Sequence, residues 1–356
     1  MSLAPYMQWA KLHVRQRLSL SGSNLLHCEL ADLPGAREAL ALHGDNDSGY
    51  RPLVEAVAST YGVTPNMVAV AQGTSGANFL VFAALVKAGD DVLVERPGYD
   101  PLMGPPALLG ARIVRFDRRF EDGYRLDPDA IRAAITPRTR LIVVTNAHNP
   151  SGVVAAHADL DEIGRIAEAH GARVLVDEVY LDTAAFAPAR PAAARSPVFI
   201  STSSLTKSYG LAGLRCGWVI AAPTVAEAVR RARDIVDGSG PFPTERLAVL
   251  AFSMLDRLAA RAKRILTANG EAVRSFLASR PDLEAVLPQA GSVVFPRLRG
   301  ARDAGPFVER LAREFETDVV PGHFFQAPAH FRVAFGGREN VLREGLAQIG
   351  KALDAR

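Results

Sequence analysis

Short runs of β-forming apolar residues alternate with helical stretches between residues 67 and 222, and this alternation restricts the possible folds more than any other feature. The runs are almost continuously apolar, which indicates strands that are buried on both faces of a sheet. Such strands, separated by helices, predict an α/β fold with a mostly parallel sheet between layers of helix. The predicted strands cover 67–71, 91–95, 111–116, 140–145, 173–177, 198–203 and 216–222, and the clearest helices cover 75–87 and 159–171.

The pattern changes after Pro243. From there the chain is predicted to be helical to about Ser279, long enough to connect two domains, and beyond Pro281 helix mixes with short strands. These later strands are predicted at 292–298, 318–322 and 330–335, and a closing helix begins at Asn340. We therefore expect a large domain over residues 40–265 and a smaller α/β domain built from residues 1–39 and 266–356.

Charge and cysteine content narrow the classes of function. The 41 Lys and Arg residues nearly balance the 38 Asp and Glu residues, without a basic stripe, so neither nucleic acid nor a membrane surface is an expected partner. The longest apolar runs, such as FLVFAALV (79–86), are too short to span a bilayer. The two cysteines show neither disulfide-scaffold density nor metal-ligand spacing. These features predict a cytoplasmic protein without a metal site.

Polar residues follow four of the predicted strands, at the edge where an open α/β sheet binds its ligands. The strand at 67–71 leads to Gly73, Thr74 and Ser75, a turn into a helix whose free backbone N–H groups suit a phosphate. The strand at 140–145 leads to NAHNPSG (146–152), which offers neutral amide donors, although loops favour such residues in any case.

The next two strand ends add charged groups. Asp177 ends the strand at 173–177, and Tyr180 follows three residues later. The strand at 198–203 leads to Ser204 and Lys207, then to glycines and Arg215. A hydroxyl and a planar guanidinium suit a phosphate. Each residue alone has an ordinary explanation, but together they predict one site at one sheet edge.

Pyridoxal 5'-phosphate (PLP) has a chemical group for each member of this set. Its aldehyde needs a lysine for a Schiff base, and its ring nitrogen needs an acid that keeps it protonated. Lys207 would form the imine and later move the α-proton as a general base. Asp177 would hold the pyridinium, while Asn149 and Tyr180 would donate hydrogen bonds to the phenolic oxygen.

The chain resembles class I/II aminotransferases of PLP fold type I, the aspartate aminotransferase superfamily, over nearly its whole length. The resemblance rests on GTS (73–75), PGY (97–99), NxxNPSG (146–152), DEVY (177–180), SxTK (204–207), RCGW (215–218) and FRVAF (331–335). It implies a sheet of about seven strands in the large domain and a homodimer with its active site at the interface. It also implies that Tyr99 stacks on the cofactor ring, that Arg332 and Gly22 bind the substrate carboxylate, and that Asn149 contributes to substrate binding.

One position departs from the family pattern. The family commonly has a tyrosine five residues before the glycine of a GxxxL motif, and that tyrosine reaches the phosphate of the partner subunit. Here the motif is residues 49–53, and the expected position is Gly44. His43, Asn46 or Tyr50 could substitute for it, which leaves specificity for dicarboxylic substrates open.

The predicted activity is transfer of an amino group between an L-amino acid and a 2-oxo acid. A PLP-dependent lyase, racemase or cyclase on the same scaffold is the alternative, because all of these reactions begin with a carbanion at Cα. A transcriptional regulator with an aminotransferase-like domain is a third reading. Only about 45 residues precede the GYRPL segment, which is too few for a DNA-binding domain and its linker.

Overall fold

Strands and helices alternate along most of the chain, as the apolar runs predict. The computed structural model describes residues 4–355. The strands are β1 (Leu18–Ser19), β2 (Val68–Gln72), β3 (Asp91–Arg96), β4 (Arg112–Asp117), β5 (Thr139–Thr145), β6 (Arg173–Asp177), β7 (Phe199–Ser204), β8 (Cys216–Ile220), β9 (Leu283–Glu284), β10 (Val293–Val294), β11 (Arg297–Leu298), β12 (Thr317–Asp318), β13 (Val320–Pro321) and β14 (Phe331–Ala334). The helices are α1 (Pro5–Leu12), α2 (Ala36–Ala39), α3 (Arg51–Tyr61), α4 (Gly73–Leu85), α5 (Gly104–Leu108), α6 (Pro128–Ala134), α7 (His157–Ala169), α8 (Leu205–Tyr209), α9 (Pro223–Val236), α10 (Phe242–Phe252), α11 (Leu255–Ala278), α12 (Gly305–Phe315) and α13 (Glu339–Asp354).

A seven-stranded sheet with the order β2-β8-β7-β6-β5-β3-β4 forms the centre of the large part of the molecule. Strand β8 is antiparallel to both of its neighbours, and the pairs among β7, β6, β5, β3 and β4 are parallel. The predicted fold is therefore confirmed, including the number of strands and their mostly parallel arrangement.

Alternate residues of the central strands pack into different helix layers. In β5, Leu141 and Val143 join the core under α4 and α9, whereas Ile142 and Val144 join the core under α6 and α7. Successive side chains of a strand point to opposite faces, so a strand covered on both sides favours apolar residues at successive positions. This double coverage explains the continuous apolar runs in the sequence.

A second core lies in the C-terminal part of the chain. It is formed by α12, α13 and the later part of α11 around a three-stranded sheet with the order β10-β14-β13. The N-terminal segment joins this core through Leu20 and Leu25, and β1 pairs with β12. Helix α11 contributes to both cores, with Leu258 in the large one and Leu266 in the small one. The domain limits given above stay predictions.

Three predicted elements are wrong in detail. The strand expected over residues 318–322 is divided between β12 and β13, which pair with β1 and β14 respectively. The helix expected over residues 243–279 is two helices, because the chain turns at Ser253 and Met254, where the Ser253 hydroxyl donates to the Leu250 carbonyl at 2.7 Å and competes with the helical pattern. The strand expected over residues 292–298 is divided into β10 and β11. Pro296 lies between them and cannot donate to a ladder, and the two pieces pair with different strands.

No helix within residues 4–355 is long and apolar enough to cross a membrane. In the same residues no group of three or more His, Cys, Asp and Glu side chains is arranged to hold a metal ion.

Candidate active site

A cavity of about 450 Å³ opens where the carboxyl ends of β2, β5, β6 and β7 meet. Parallel strands bring their ends to one edge, so residues far apart in sequence share its wall. Nine of the predicted site residues line it: Thr74, Ser75, Tyr99, Asn149, Asp177, Tyr180, Ser204, Lys207 and Arg215.

One end of the cavity is suited to an anion. Helix α4 begins there at Gly73, and the Thr74 hydroxyl donates to the Ser204 Oγ at 2.9 Å. The Arg215 guanidinium lies against Gly73, close enough that a Cβ on this glycine would collide with it. Its protein contacts are two long hydrogen bonds to backbone carbonyls, at 3.4 and 3.5 Å. Arg215 has no carboxylate partner among residues 4–355. Free N–H groups of a helix start, hydroxyls and such a guanidinium are the donors that a phosphate needs.

Asp177 lies deep in the wall and is 5% exposed. Burial raises the pKa of its carboxyl to about 6, against the opposing effect of a hydrogen bond from Asn78. The Asn78 amide donates to Asp177 Oδ2 at 2.8 Å, and its own oxygen accepts a hydrogen bond from Thr202 at 2.6 Å. Asn78 was not among the predicted site residues, although a polar residue within an apolar helix was a usable signal.

Lys207 follows β7 on the short helix α8 and reaches into the cavity. Its ammonium donates to Ser23 Oγ at 2.8 Å and to Asn24 Oδ1 at 2.6 Å. Burial, together with the positive charge of Arg332 and against the opposing effect of Asp177, lowers the pKa of Lys207 to about 7. A substantial fraction of the amine is therefore uncharged at neutral pH.

Asn149 and Tyr180 present neutral polar groups to the same cavity. The backbone N–H of Asn149 donates to Thr145 Oγ1 at 2.9 Å, and the Tyr180 hydroxyl donates to the Ser23 carbonyl at 3.3 Å. Burial raises the pKa of Tyr180 to about 12, so its phenol remains a donor at neutral pH.

A buried ion pair supports the loop that carries Asn149. Glu95 and Arg118 are completely shielded from solvent and lie 2.9 Å apart. Glu95 also accepts the backbone N–H of Thr145 at 2.7 Å and the hydroxyl of the same residue. Because a buried charge without its partner is costly, the pair fixes Thr145 and, through it, Asn149.

Arg332 is fully buried and does not line the cavity. Its guanidinium donates to Asn149 Oδ1 at 3.1 Å, to the Tyr6 hydroxyl at 2.6 Å and to the Ser21 carbonyl at 3.3 Å. Tyr6 belongs to α1, and Met7 and Lys11 of the same helix line the cavity. No residue of α1 was among the predicted site residues.

Gly22 also lies outside the cavity lining, although its neighbours Ser23 and Asn24 belong to it. A Cβ at Gly22 would meet no atom within 4 Å, so the surrounding residues do not require glycine there. The approach of Gly22 to a substrate carboxylate stays a prediction.

Gly44 is a position where no larger residue fits, because a Cβ there would overlap the ring of Phe242. Of the three residues suggested as substitutes for the family tyrosine, two have partners within this chain. Asn46 donates to the Gly240 carbonyl at 2.8 Å, and the ring of Tyr50 packs on Phe242 with 5.2 Å between centroids. The third, His43, is exposed.

This sheet and the residues at its edge define a PLP-dependent enzyme of fold type I. The cavity residues suit the cofactor, with an anion end at Gly73 and Arg215, a buried carboxylate at Asp177 and an amine at Lys207. The family model for aminotransferase class I and II matches residues 32–349, and the chain belongs to that family.

Individual relatives agree with this assignment. Capreomycidine synthase of Streptomyces vinaceus is 32% identical over 291 residues, which are 81% of this chain and 75% of that protein. A probable aspartate/prephenate aminotransferase of Thermus aquaticus is 28% identical over 96% of this chain and 88% of its own length. The structure of a PLP-dependent aminotransferase from Streptococcus suis superimposes with a TM-score of 0.93, at 26% identity, and covers 100% of this chain and 99% of that one. The enzyme is thus a PLP-dependent aminotransferase.

Proposed function

We propose that this enzyme moves the amino group of an L-amino acid to a 2-oxo acid, with Lys207 as the residue that removes and returns the α-proton. When bound, PLP supplies an aldehyde that joins to an amine and a ring that accepts electrons. The observation that carries the proposal is the position of Lys207, whose amine lies in the cavity with a pKa of about 7. An amine with that pKa works as a base and as an acid at neutral pH.

The remaining cavity residues divide into two groups. Asp177, held by Asn78, would keep a proton on the ring nitrogen, and Asn149 and Tyr180 would donate to the phenolic oxygen. Tyr99 would cover the ring, and the phosphate would be held by residues at the α4 end, namely Gly73, Thr74, Ser75, Ser204 and Arg215.

Arg332 is the proposed partner of the substrate carboxylate, together with Asn149 and Gly22. Its guanidinium is held by neutral groups alone, and its Nε has no hydrogen-bond partner within residues 4–355. A buried cation with neutral partners strongly attracts an anion. Because the Tyr6 hydroxyl accepts a hydrogen bond from this guanidinium, the substrate carboxylate has to displace that hydroxyl.

A second candidate is a PLP-dependent lyase, racemase or cyclase reaction. The relative from Streptomyces vinaceus, at 32% identity, carries the name of a synthase rather than of an aminotransferase. Both candidates use the same lysine and acid, so the cavity residues named above serve either one.

A half-reaction without a 2-oxo acid distinguishes amino transfer from a lyase, racemase or cyclase reaction. The holoenzyme is mixed with a panel of L-amino acids and no 2-oxo acid, and the cofactor spectrum and the products are followed. For the true amino donor we expect conversion of the bound cofactor to its amine form, with release of one 2-oxo acid per site, and restoration by a second 2-oxo acid. Repeated release of ammonia or of a product without an added 2-oxo acid would instead assign the enzyme to the second candidate.

We also propose that the enzyme is a cytoplasmic homodimer. Both cysteines are free thiols, which suits a reducing compartment. Leu30, Leu40 and Leu42 are 53%, 53% and 81% exposed, and an apolar cleft of about 450 Å³ beside Leu30 is lined in part by Leu33 and Leu247. Exposed apolar residues next to an apolar cleft suit a second copy of the chain.

Light scattering tests this assembly. We expect the native enzyme to show twice the mass of one chain. The double variant Leu30→Glu, Leu42→Glu should show the mass of one chain, because it places charges in an apolar interface. Leu108→Glu is the matched control, since Leu108 is 62% exposed and lies on α5, outside the segment that carries Leu30, Leu40 and Leu42. A native enzyme with the mass of one chain contradicts the proposal.

A further inference from the structure

We propose that Ser23 and Asn24 form a holding site for the free ε-amine of Lys207. The inference rests on the proposed role of Lys207 and extends it to two residues without an assigned function. The amine donates to the Ser23 hydroxyl at 2.8 Å and to the Asn24 side-chain oxygen at 2.6 Å. Both partners line the same cavity as Lys207.

The holding site is rigid because several elements fix the segment. The Ser23 carbonyl accepts hydrogen bonds from Tyr180 at 3.3 Å and from the Ser292 hydroxyl at 2.9 Å. Two residues after Asn24, the N–H of Leu26 donates to the Gly336 carbonyl at 2.6 Å, and a Cβ on Gly336 would collide with the Asn24 carbonyl. The large sheet and the small core therefore both determine where the two acceptors lie.

The charge of the holding site is suited to an amine that has to lose its proton. Both acceptors are neutral, and the charged groups that act on Lys207 are Arg332 on β14, Arg215 before β8 and Asp177 on β6. A carboxylate in place of Asn24 would stabilise the ammonium and retain its proton. The neutral amide of Asn24 orients the amine without stabilising its protonated form.

This arrangement has a use in each catalytic cycle. When the substrate amine replaces Lys207 at the cofactor, the freed lysine has to stay close to Cα and later to return. An amine fixed by two hydrogen bonds begins each of these steps in a defined position, which saves the entropy of finding it. Ser23 and Asn24 are thus positioning residues that act through Lys207.

Competitive acetylation of the full chain, after removal of the cofactor, measures the amine directly. Acetic anhydride is applied between pH 5 and 10, and the peptide that contains Lys207 is quantified by mass spectrometry. We expect Lys207 to titrate near pH 7 in the native chain and at least about one unit higher in Asn24→Asp, since an adjacent negative charge favours the ammonium. The control is Asn66→Asp, which adds the same charge at an exposed position.

A second measurement follows the return of the amine. PLP is added to the cofactor-free chain. At successive times, borohydride reduction traps the fraction of PLP that is covalently bound to Lys207. For Ser23→Ala, Asn24→Ala we expect a rate about 3- to 10-fold slower at every pH, because orientation is lost. For Asn24→Asp we expect slow joining at pH 7 that recovers at pH 9, where the ammonium deprotonates.

The proposal is overturned if Asn24→Asp leaves the titration of Lys207 unchanged in a chain with native circular dichroism. It is equally overturned if the double alanine variant joins PLP at the native rate. Neither result depends on turnover. A failure of the proposed function would appear elsewhere, as activity that survives the loss of Lys207.

Discussion

Replacement of Lys207 by alanine is expected to abolish amino transfer, with a loss of at least about 10⁴-fold in kcat, while the chain still binds PLP without a covalent bond. Removing a general base alone costs about 10² to 10⁴ in rate, and the covalent attachment is lost in addition. The measurement is steady-state turnover with the amino donor found in the half-reaction panel. Lys87→Ala is the matched control, because Lys87 is an exposed lysine after α4.

The same variants locate the attachment point. Borohydride reduction and peptide mapping should give a pyridoxyl adduct on Lys207 in the native enzyme and in Lys87→Ala. An adduct on a different lysine, or more than about 1% of native kcat in Lys207→Ala, contradicts the proposed role, since the expected loss is about 10⁴-fold.

Asp177→Asn is expected to lower kcat by about 10² to 10³, comparable with the loss of a preorganised charge at a catalytic centre. An amide cannot hold a proton on the ring nitrogen, and Asp177 is only 5% exposed, so water does not replace the lost charge. The matched variant is Asn78→Ala, which keeps the carboxylate but removes the 2.8 Å hydrogen bond to it. Circular dichroism and PLP binding show whether each variant folds.

The sign of the pH effect follows from the hydrogen bond. The pKa of Asp177 is already raised to about 6 by burial, and the Asn78 amide acts against that rise by favouring the charged form. Without the amide the pKa rises further, so the carboxylate is lost at a higher pH. We therefore expect the contribution of Asp177 to the acidic limb of kcat/KM to move to higher pH in Asn78→Ala. In Asp177→Asn that contribution should be absent, and only the part of the limb that Lys207 sets should remain. An acidic limb at the native position in Asn78→Ala would refute this role.

Residues that follow strands could be predicted from the sequence, whereas those from the N-terminal segment could not. Asp177 and Lys207 each follow an apolar run, and parallel strands bring such positions together. Ser23 lies 184 residues before Lys207, and Tyr6 lies 326 residues before Arg332, so no local pattern links either pair. Their contacts depend on how the N-terminal segment returns to the sheet edge.

Some features were visible in the sequence but had no unique meaning there. Asn78 within an apolar helix and Glu95 at the end of an apolar strand are polar residues at buried positions, which require partners. The partners, Asp177 and Arg118, lie 99 and 23 residues away and became known only from the structure. Pro296 was a direct sign of the divided strand, while Ser253 was too weak a signal to predict the end of a helix.

The Tyr6 hydroxyl accepts a hydrogen bond from the guanidinium of Arg332, which is the proposed partner of the substrate carboxylate. In the proposed role of Arg332, an incoming carboxylate would use the same guanidinium as the phenol, and its negative charge would allow it to displace the 2.6 Å hydrogen bond. Simple amines without an acid group would gain nothing there and would leave the phenol in place. Discrimination between amino acids and simple amines would then begin at this exchange, before any covalent bond of the substrate is broken.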